Sequence, residues 1–179
     1  MLGLSTVGHD LPMTSRAPSY PFVPKSNTHL RAGHYWPIPL SNGRFSAGVV
    51  VAVPTKEQAP LGAINLRSFI AGLLAWSGDA PPIDADLRDA ELLAWGGAHV
   101  KMVALDGGQI TGRIDRPLNQ IRTLSHRMGG TVWVYTNGTQ TAPATDSERT
   151  ELPIMSGWGF QFARVLSERV FVRGLDIVP

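Results

Sequence analysis

The run Lys25–Pro54, KSNTHLRAGHYWPIPLSNGRFSAGVVVAVP, is the stretch that decides the fold. Two apolar segments, Tyr35–Leu40 and Phe45–Val53, flank Ser41-Asn42-Gly43-Arg44. Asn-Gly between such segments predicts a β-hairpin, because both residues tolerate the positive φ of a type I′ turn. The first segment carries Pro37 and Pro39. Proline donates no ladder hydrogen bond, so this strand belongs at an edge, a strand start or a kink. The second segment ends Val49-Val50-Val51-Ala52-Val53, the pattern of a strand buried on both faces. Gly48 stands where a bulge or sharp bend needs a residue without Cβ. The stretch therefore opens a small, strongly curved sheet.

Working outward, residues 1–27 carry Pro12, Pro18, Pro21 and Pro24 and read as an irregular arm, with Tyr20 and Phe22 placed to pin its later part. Residues 28–179 read as one β-rich domain. After the hairpin, Thr55–Gly62 is a polar connection. Leu66, Phe69, Ile70, Leu73, Leu74 and Trp76 have the spacing of a helix with one apolar face, capped by Asn65 or Ser68 and stopped at Gly78. Asp84–Trp95 predicts a short helix, acidic at its start and ended by Gly96-Gly97. His99–Leu105, Asp106-Gly107-Gly108 and Gln109–Ile114 read as strand, turn and returning strand. Arg116–Arg127 predicts a turn or two of helix. Thr131–Thr136 is a strand, Asn137-Gly138 a second turn, and Thr139–Thr145 a returning strand; Asp146–Pro153 is polar and exposed. A helix over about Gly159 to Arg169 and a strand near Val170–Val172 close the chain. The fold class is α+β: a curved, mainly antiparallel sheet, open to an SH3-like partial-barrel reading, with two or three packed helices.

Composition narrows the function classes. A chain of 179 residues, 43% hydrophobic, suits one domain with a real core. Nineteen Gly and fourteen Pro favour many turns and short elements. With no cysteine, a disulfide scaffold, a thiolate zinc site and a cysteine nucleophile all drop out. No apolar run approaches the roughly 20 residues that span a bilayer, and the first residues lack the basic-then-apolar pattern of a signal peptide, so a cytoplasmic protein without a membrane partner is expected. The net charge of +2, with no clustered basic window, places nucleic acid behind protein as a partner.

Chemistry-bearing patterns are sparse. His9, His29, His34, His99 and His126 form no i, i+3 or i, i+4 pair on a predicted helix, and structural or surface histidines are the simpler reading. Asp79, Asp84, Asp86, Asp89 and Glu91 lack the spacing of a calcium loop and fit a solvated helix start. Neither Gly96-Gly97 nor Gly107-Gly108 has phosphate-loop spacing, and no serine sits in a GxSxG elbow. No cofactor, metal or catalytic residue is expected. Five tryptophans (Trp36, Trp76, Trp95, Trp133 and Trp158) interleave with Arg44, Arg113, Arg116, Arg122 and Arg127. Trp and Arg serve both single-strand stacking platforms and protein–protein hot spots.

Arg31-Ala32-Gly33-His34-Tyr35-Trp36-Pro37-Ile38-Pro39-Leu40, followed by Gly43-Arg44-Phe45, Gly48 and Val49, resembles a family of bacterial immunity proteins from polymorphic toxin systems, the family labelled immunity protein twenty-six. The shared pattern is a polar lead-in, a glycine, an Ile-Pro-Leu strand, a glycine turn and a second glycine a few residues on. The resemblance implies a small β-rich cytosolic protein that binds and neutralises a cognate toxin without catalysis of its own. It carries over no catalytic residues.

The expected function is therefore non-catalytic protein binding, of the immunity type, by occluding a toxin. The candidate partner-binding anchors are Trp36, Arg44, Arg122 and Trp158; the competing reading is core packing for the tryptophans and solvated charge for the arginines. Three rivals stand beside it. One is a small nucleic-acid-binding barrel with salt-sensitive affinity. Another is an enzyme assembled from distant residues such as His34, His99 and Asp106. The third is a structural subunit of a larger assembly whose arm and Thr139–Pro153 loop order on contact. Nothing in the residues specifies an oligomeric state.

Overall fold

A computed structural model describes residues 19–54, 66–118, 121–126 and 130–177. Most of the expected irregular arm, the polar connection after Pro54, the Asn65 cap, His9, and Asn119, Gln120 and Arg127 of the predicted 116–127 helix lie outside the described residues.

The opening hairpin forms. Strand β1 (His34–Pro39) pairs antiparallel with β2 (Phe45–Ala52), placing Trp36 opposite Gly48 and Pro39 opposite Phe45. Its turn differs from the expected type I′. Gly43 takes φ +83° while Asn42 does not cross to positive φ, and Gly43 N–H donates to Leu40 O at 3.1 Å. Ser41 and Asn42 thus form the centre of a common turn, and Gly43 is the left-handed residue that rejoins the strand. Asn42 Oδ1 accepts the Arg44 N–H at 3.1 Å, so its side chain replaces the backbone bond that a tighter turn supplies.

The prolines sit where the ladder does not need them. Tyr35 turns its carbonyl away from β2 to accept the Thr111 N–H at 3.0 Å. Pro37 and Pro39, two and four residues on, present their nitrogens to that same side. Strand β5 (Gly112–Arg113) covers β1 only at His34 and Tyr35, so the prolines fall on uncovered edge.

Strands β3 (Ser68–Gly78) and β4 (Leu92–His99) complete an antiparallel sheet in the order β4-β3-β2-β1-β5. Among the described residues β4 and β5 do not pair, so the sheet stays open. The register of β2 against β3 shifts between Ser46 and Gly48 and again between Val50 and Ala52, which bends the sheet beside the predicted glycine. The helix expected over 66–76 is in fact the central strand β3. Phe69, Ala71 and Leu73 face one core, and Ile70, Leu74 and Trp76 face the other. A strand buried on both faces reads as a continuous apolar run, which can mimic helical spacing.

The next two assignments are exchanged. Asp84–Trp95 is helical only over α1 (Asp84–Leu87) and then becomes β4. The expected strand 99–105 is instead helix α2 (Lys101–Asp106), with Met102, Val103 and Asp106 on its buried side. Gly96-Gly97 lies inside β4 because Trp158 packs over Gly96, where a Cβ would overlap the indole. Gly107 ends α2 instead of turning a hairpin, since a Cβ there would overlap the Pro37 carbonyl.

The two faces of the sheet bury separate cores. Trp36, Ile38, Val50, Phe69 and Leu73 pack with Met102 and Val103 of α2 and with Ala163 and Leu166 of α4 (Phe162–Ser167). Tyr35, Val49, Val51, Ile70 and Leu74 pack with Leu87, Ile114 and Ile121. Helix α4 lies within the expected 159–169, but the chain continues as a π-helical turn, Glu168–Val172, where a strand was expected. Glu168 anchors this end to the first hairpin: Ser41 N and Oγ both donate to its carboxylate, at 2.6 and 2.7 Å. Phe22 pins the segment before the hairpin by exchanging backbone hydrogen bonds with Ile110 at 3.0 and 2.8 Å.

A second sheet of order β6-β7-β8 is built from Arg122–His126, Val132–Thr136 and Thr139–Pro143. Strand β6 replaces the helical turns expected before residue 127. Its partner β7 and the return β8 form as expected. Here Asn137 (φ +50°) and Gly138 (φ +77°) do make the paired positive-φ turn. Asn137 also ties this tip to Ile121, accepting its N–H on Oδ1 at 2.9 Å. Helix α3 (Asp146–Glu151) follows, exposed and capped by Thr145, within a segment expected to be polar.

Candidate protein-binding face

The four anchors expected from the sequence are scattered. Trp36 is fully buried between β2 and α2, so it is a core residue and cannot touch a partner without unfolding. Arg44 is half-exposed and closes the β2–β3 end, pairing with Asp79 at 3.1 Å and donating to Ser77 O at 2.9 Å. Arg122 sits on the second sheet and pairs with Glu148 of α3. Trp158 is 7% exposed and lies under the segment that leads into α4. The structure does not bring these four together.

His34, His99 and Asp106 also stay in separate surroundings. His34 is enclosed by the Tyr20 and Phe22 rings at 5.6 and 5.5 Å, and its Nδ1 accepts the Arg31 N–H at 3.1 Å. Burial, with Arg113 and Arg31 nearby, lowers its pKa from 6.5 to about 4. Asp106 is buried between α2, Trp36 and α4, and burial raises its pKa from 3.8 to about 7. The Trp36 indole N–H, the Arg164 backbone N–H and the Arg164 charge oppose that shift, but no bond of ordinary geometry closes on either carboxylate oxygen. Among the described residues no three of His, Asp or Glu are placed to hold a metal ion.

What the tertiary structure does assemble is an aromatic face around Trp158. Backbone bonds from Trp158 N–H to Gly97 O (2.7 Å) and from Gly97 N–H to Ser156 O (2.9 Å) lay residues 156–158 along the edge of β4. The chain then turns through Gly159 into α4. Phe160 meets His99 edge-on at 5.5 Å, and Lys101 Nζ stands 5.8 Å from its ring centroid. Phe162 tilts against Trp158 at 5.3 Å. On α4 the buried side is Ala163, Leu166 and Ser167, yet the outer side carries Phe162 and Val165 one turn apart. Phe160, Phe162 and Val165 remain 47%, 43% and 62% exposed. An isolated exposed apolar residue needs no explanation, but three within six residues, two of them aromatic, do.

Beside this band lies a cavity of about 370 Å³ at the junction of the two sheets. Phe69, Ile70, Met155 and Trp158 supply its apolar walls, and His99 and Tyr135 its polar ones. His99 Nδ1 accepts the Lys101 N–H at 3.1 Å, so the neutral ring keeps its proton on Nε2 as a donor. Partial burial and the cations Lys101 and Arg67 lower the His99 pKa and favour that neutral form. A wider cleft of about 660 Å³ beside β2 is lined by Asn27, Arg31 and Asn137, whose polar groups are already engaged within the chain.

Of the predicted anchors, only Trp158 belongs to this face. Sequence reading missed Gly97, His99, Tyr135, Phe160, Phe162 and Val165 as a group. One signal was present: the 159–169 helix has apolar residues on both sides, Ala163 and Leu166 on one and Phe162 and Val165 on the other.

No described helix is long and apolar enough to cross a membrane. No protein-family model, no curated protein and no solved structure matches the chain.

Proposed function

We propose that the protein is a non-catalytic binding protein whose partner is another protein, docked on the face formed by Phe160, Phe162 and Val165. The observation that carries this reading is the exposed apolar side of α4, a helix already packed into the core through its opposite side. Protein interfaces concentrate their energy in such aromatic clusters, with cations at the rim. The exposed Lys101 stands over the Phe160 ring, and the exposed Arg164 lies on α4 beside Val165. Together with the resemblance of the opening hairpin to immunity proteins, this favours a bacterial toxin as the partner, neutralised by occlusion.

The test is capture of the partner by tagged protein at high salt and after nuclease treatment, followed by affinity measurement. The expected result is one stoichiometric protein that survives both treatments and inhibits growth when expressed alone. Phe162→Asp with Val165→Asp should weaken it by about tenfold or more. The single Val165→Asp variant should keep a thermal midpoint close to wild type, because that side chain is 62% exposed. Unchanged affinity in the double variant would move the interface elsewhere; loss of the partner with salt or nuclease would overturn protein binding in favour of nucleic acid.

A further inference from the structure

Helix α2 ends with the Asp106 carboxyl inside the protein. The residue is 4% exposed, and neither carboxylate oxygen has a hydrogen bond of ordinary geometry among the described residues. Trp36 Nε1, the donor that β1 turns toward it, is likewise buried and unpartnered. An ionised carboxylate without partners is costly to bury, so this geometry by itself favours the neutral acid. Three groups oppose that preference: the Trp36 indole N–H, the Arg164 backbone N–H and the Arg164 charge, the last two from α4. They do not offset the burial, and the carboxyl titrates at about 7 instead of 3.8. The other titratable groups on these elements are engaged elsewhere. His34 of β1 lies between the Tyr20 and Phe22 rings, and Tyr35 donates to Asp84. Lys101 of α2 stands over Phe160, Glu168 accepts from Ser41, and Arg169 donates to Asp176 O.

Of the elements around Asp106, α4 is the one free to yield. The end of α2 is held against β1, since a Cβ on Gly107 would overlap the Pro37 carbonyl, and Ile110 beyond it exchanges backbone bonds with Phe22. The chain before α4 is fixed as far as Trp158, whose N–H donates to Gly97 O at 2.7 Å. Past that point, Gly159 and Gly174 bracket the helical segment 162–172. A Cβ on either glycine would meet nothing within 4 Å, and Gly174 takes φ +64°. Packing therefore leaves both ends room to turn. Helix α4 itself is buried on one side only, through Ala163, Leu166 and Ser167. We infer that Asp106 is the latch of a pH-sensitive device: α4 and the turn after it stay docked while this carboxyl is neutral, and lift from α2 and β1 when it ionises. The direction follows from proton linkage. With α4 lifted, the carboxyl meets water and returns to its ordinary 3.8, so the docked state binds the proton more tightly. Docking is thus favoured below about pH 7 and weakened above it. This coupling is a property of the fold and stands apart from any partner on the outer side of α4.

The test is native-state hydrogen exchange on the full chain at pH 6 and pH 8, corrected for intrinsic exchange and repeated in low urea. Protection of the amides from Val165 to Val172 should fall about tenfold between the two pH values, the factor that a carboxyl titrating at about 7 when docked and 3.8 when lifted gives. At pH 8 these amides should be less protected than those of β2 and β3 and depend less on urea, the mark of a local opening. Asp106→Asn should remove the pH step in α4. The carboxyl ¹³C shift of Asp106 in the wild type, which needs no variant, should titrate near pH 7 in step with the loss of protection. Unchanged α4 protection between pH 6 and pH 8, or a step that survives in folded Asp106→Asn, would overturn the inference. So would a carboxyl midpoint below about 5, close to the ordinary carboxylate range. Equal protection and equal urea dependence in α4 and the sheet would also overturn it, because Asp106 would then act on global unfolding alone.

Discussion

Trp36 and Gly48 stand directly opposite each other on β1 and β2, and the Trp36 indole occupies the space where a Gly48 Cβ would be. The glycine lets the largest core side chain lie flat across the sheet at the point where the β2–β3 register shifts. Gly48→Ala should therefore cost about 1–3 kcal/mol through overpacking, measured by urea denaturation. In a Trp36→Leu background the same substitution should cost much less, because the overlap is gone. Equal costs in the two backgrounds would show that the indole does not set the glycine requirement.

Two buried groups in separate surroundings, His34 and Asp106, set an unusual pH response. Asp106 holds its proton up to about pH 7 in the folded protein but only to about 3.8 when unfolded. Between those values the unfolded chain binds fewer protons, so this group makes stability fall as pH rises from about 4 to about 7. His34 acts in the opposite sense. Its folded pKa of about 4 lies below the ordinary 6.5, so the unfolded chain binds more protons there and stability rises with pH over that window. The two trends oppose each other in the wild type. Asp106→Asn should expose a stability that climbs from pH 4 to 6.5, and should stabilise the protein at pH 8 by roughly 4 kcal/mol. His34→Gln should expose the reverse slope. Chemical denaturation across this range reads both, and parallel pH profiles in the two variants would refute the assignment.

A buried hydroxyl chain joins the first hairpin to α4. Ser46 Oγ donates to Ser167 Oγ at 2.8 Å, and Ser167 Oγ donates to Ala163 O at 2.7 Å. The two ends of the chain are not equivalent. Ser167→Ala leaves the fully buried Ser46 hydroxyl without a partner and should cost about 1–3 kcal/mol. Ser46→Ala leaves Ser167 still bonded to Ala163 and should cost under about 1 kcal/mol. Denaturation midpoints of the two variants compare them directly, and equal losses would show that Ser46 is served by another group.

Much of the fold was legible where local chemistry decides it. The edge position of β1 follows from Pro37 and Pro39, and the hairpins at Asn42-Gly43 and Asn137-Gly138 follow from their turn residues, although only the second takes the turn type first expected. Thr145-Asp146-Ser147-Glu148 carried a helix-start signature, with Thr145 N–H and Oγ1 both bonded to Glu148, inside a stretch read only as polar. The candidate site was far less legible. Trp36 and Trp158 look alike in sequence, yet one is wholly core and the other walls a cavity.

The sequence by itself determined the α+β class, the places where the chain reverses and the edges it protects, because these depend on φ preferences, missing N–H groups and the apolar pattern of single segments. Only the tertiary structure decided that Leu66–Trp76 is largely a central strand and not a helix, since that depends on apolar partners arriving on both faces from α1, α2 and α4. It also decided where the proposed binding face lies. Gly97, Tyr135 and Trp158 are far apart in the chain, and they become neighbours only when the second sheet and the segment before α4 close on the edge of β4.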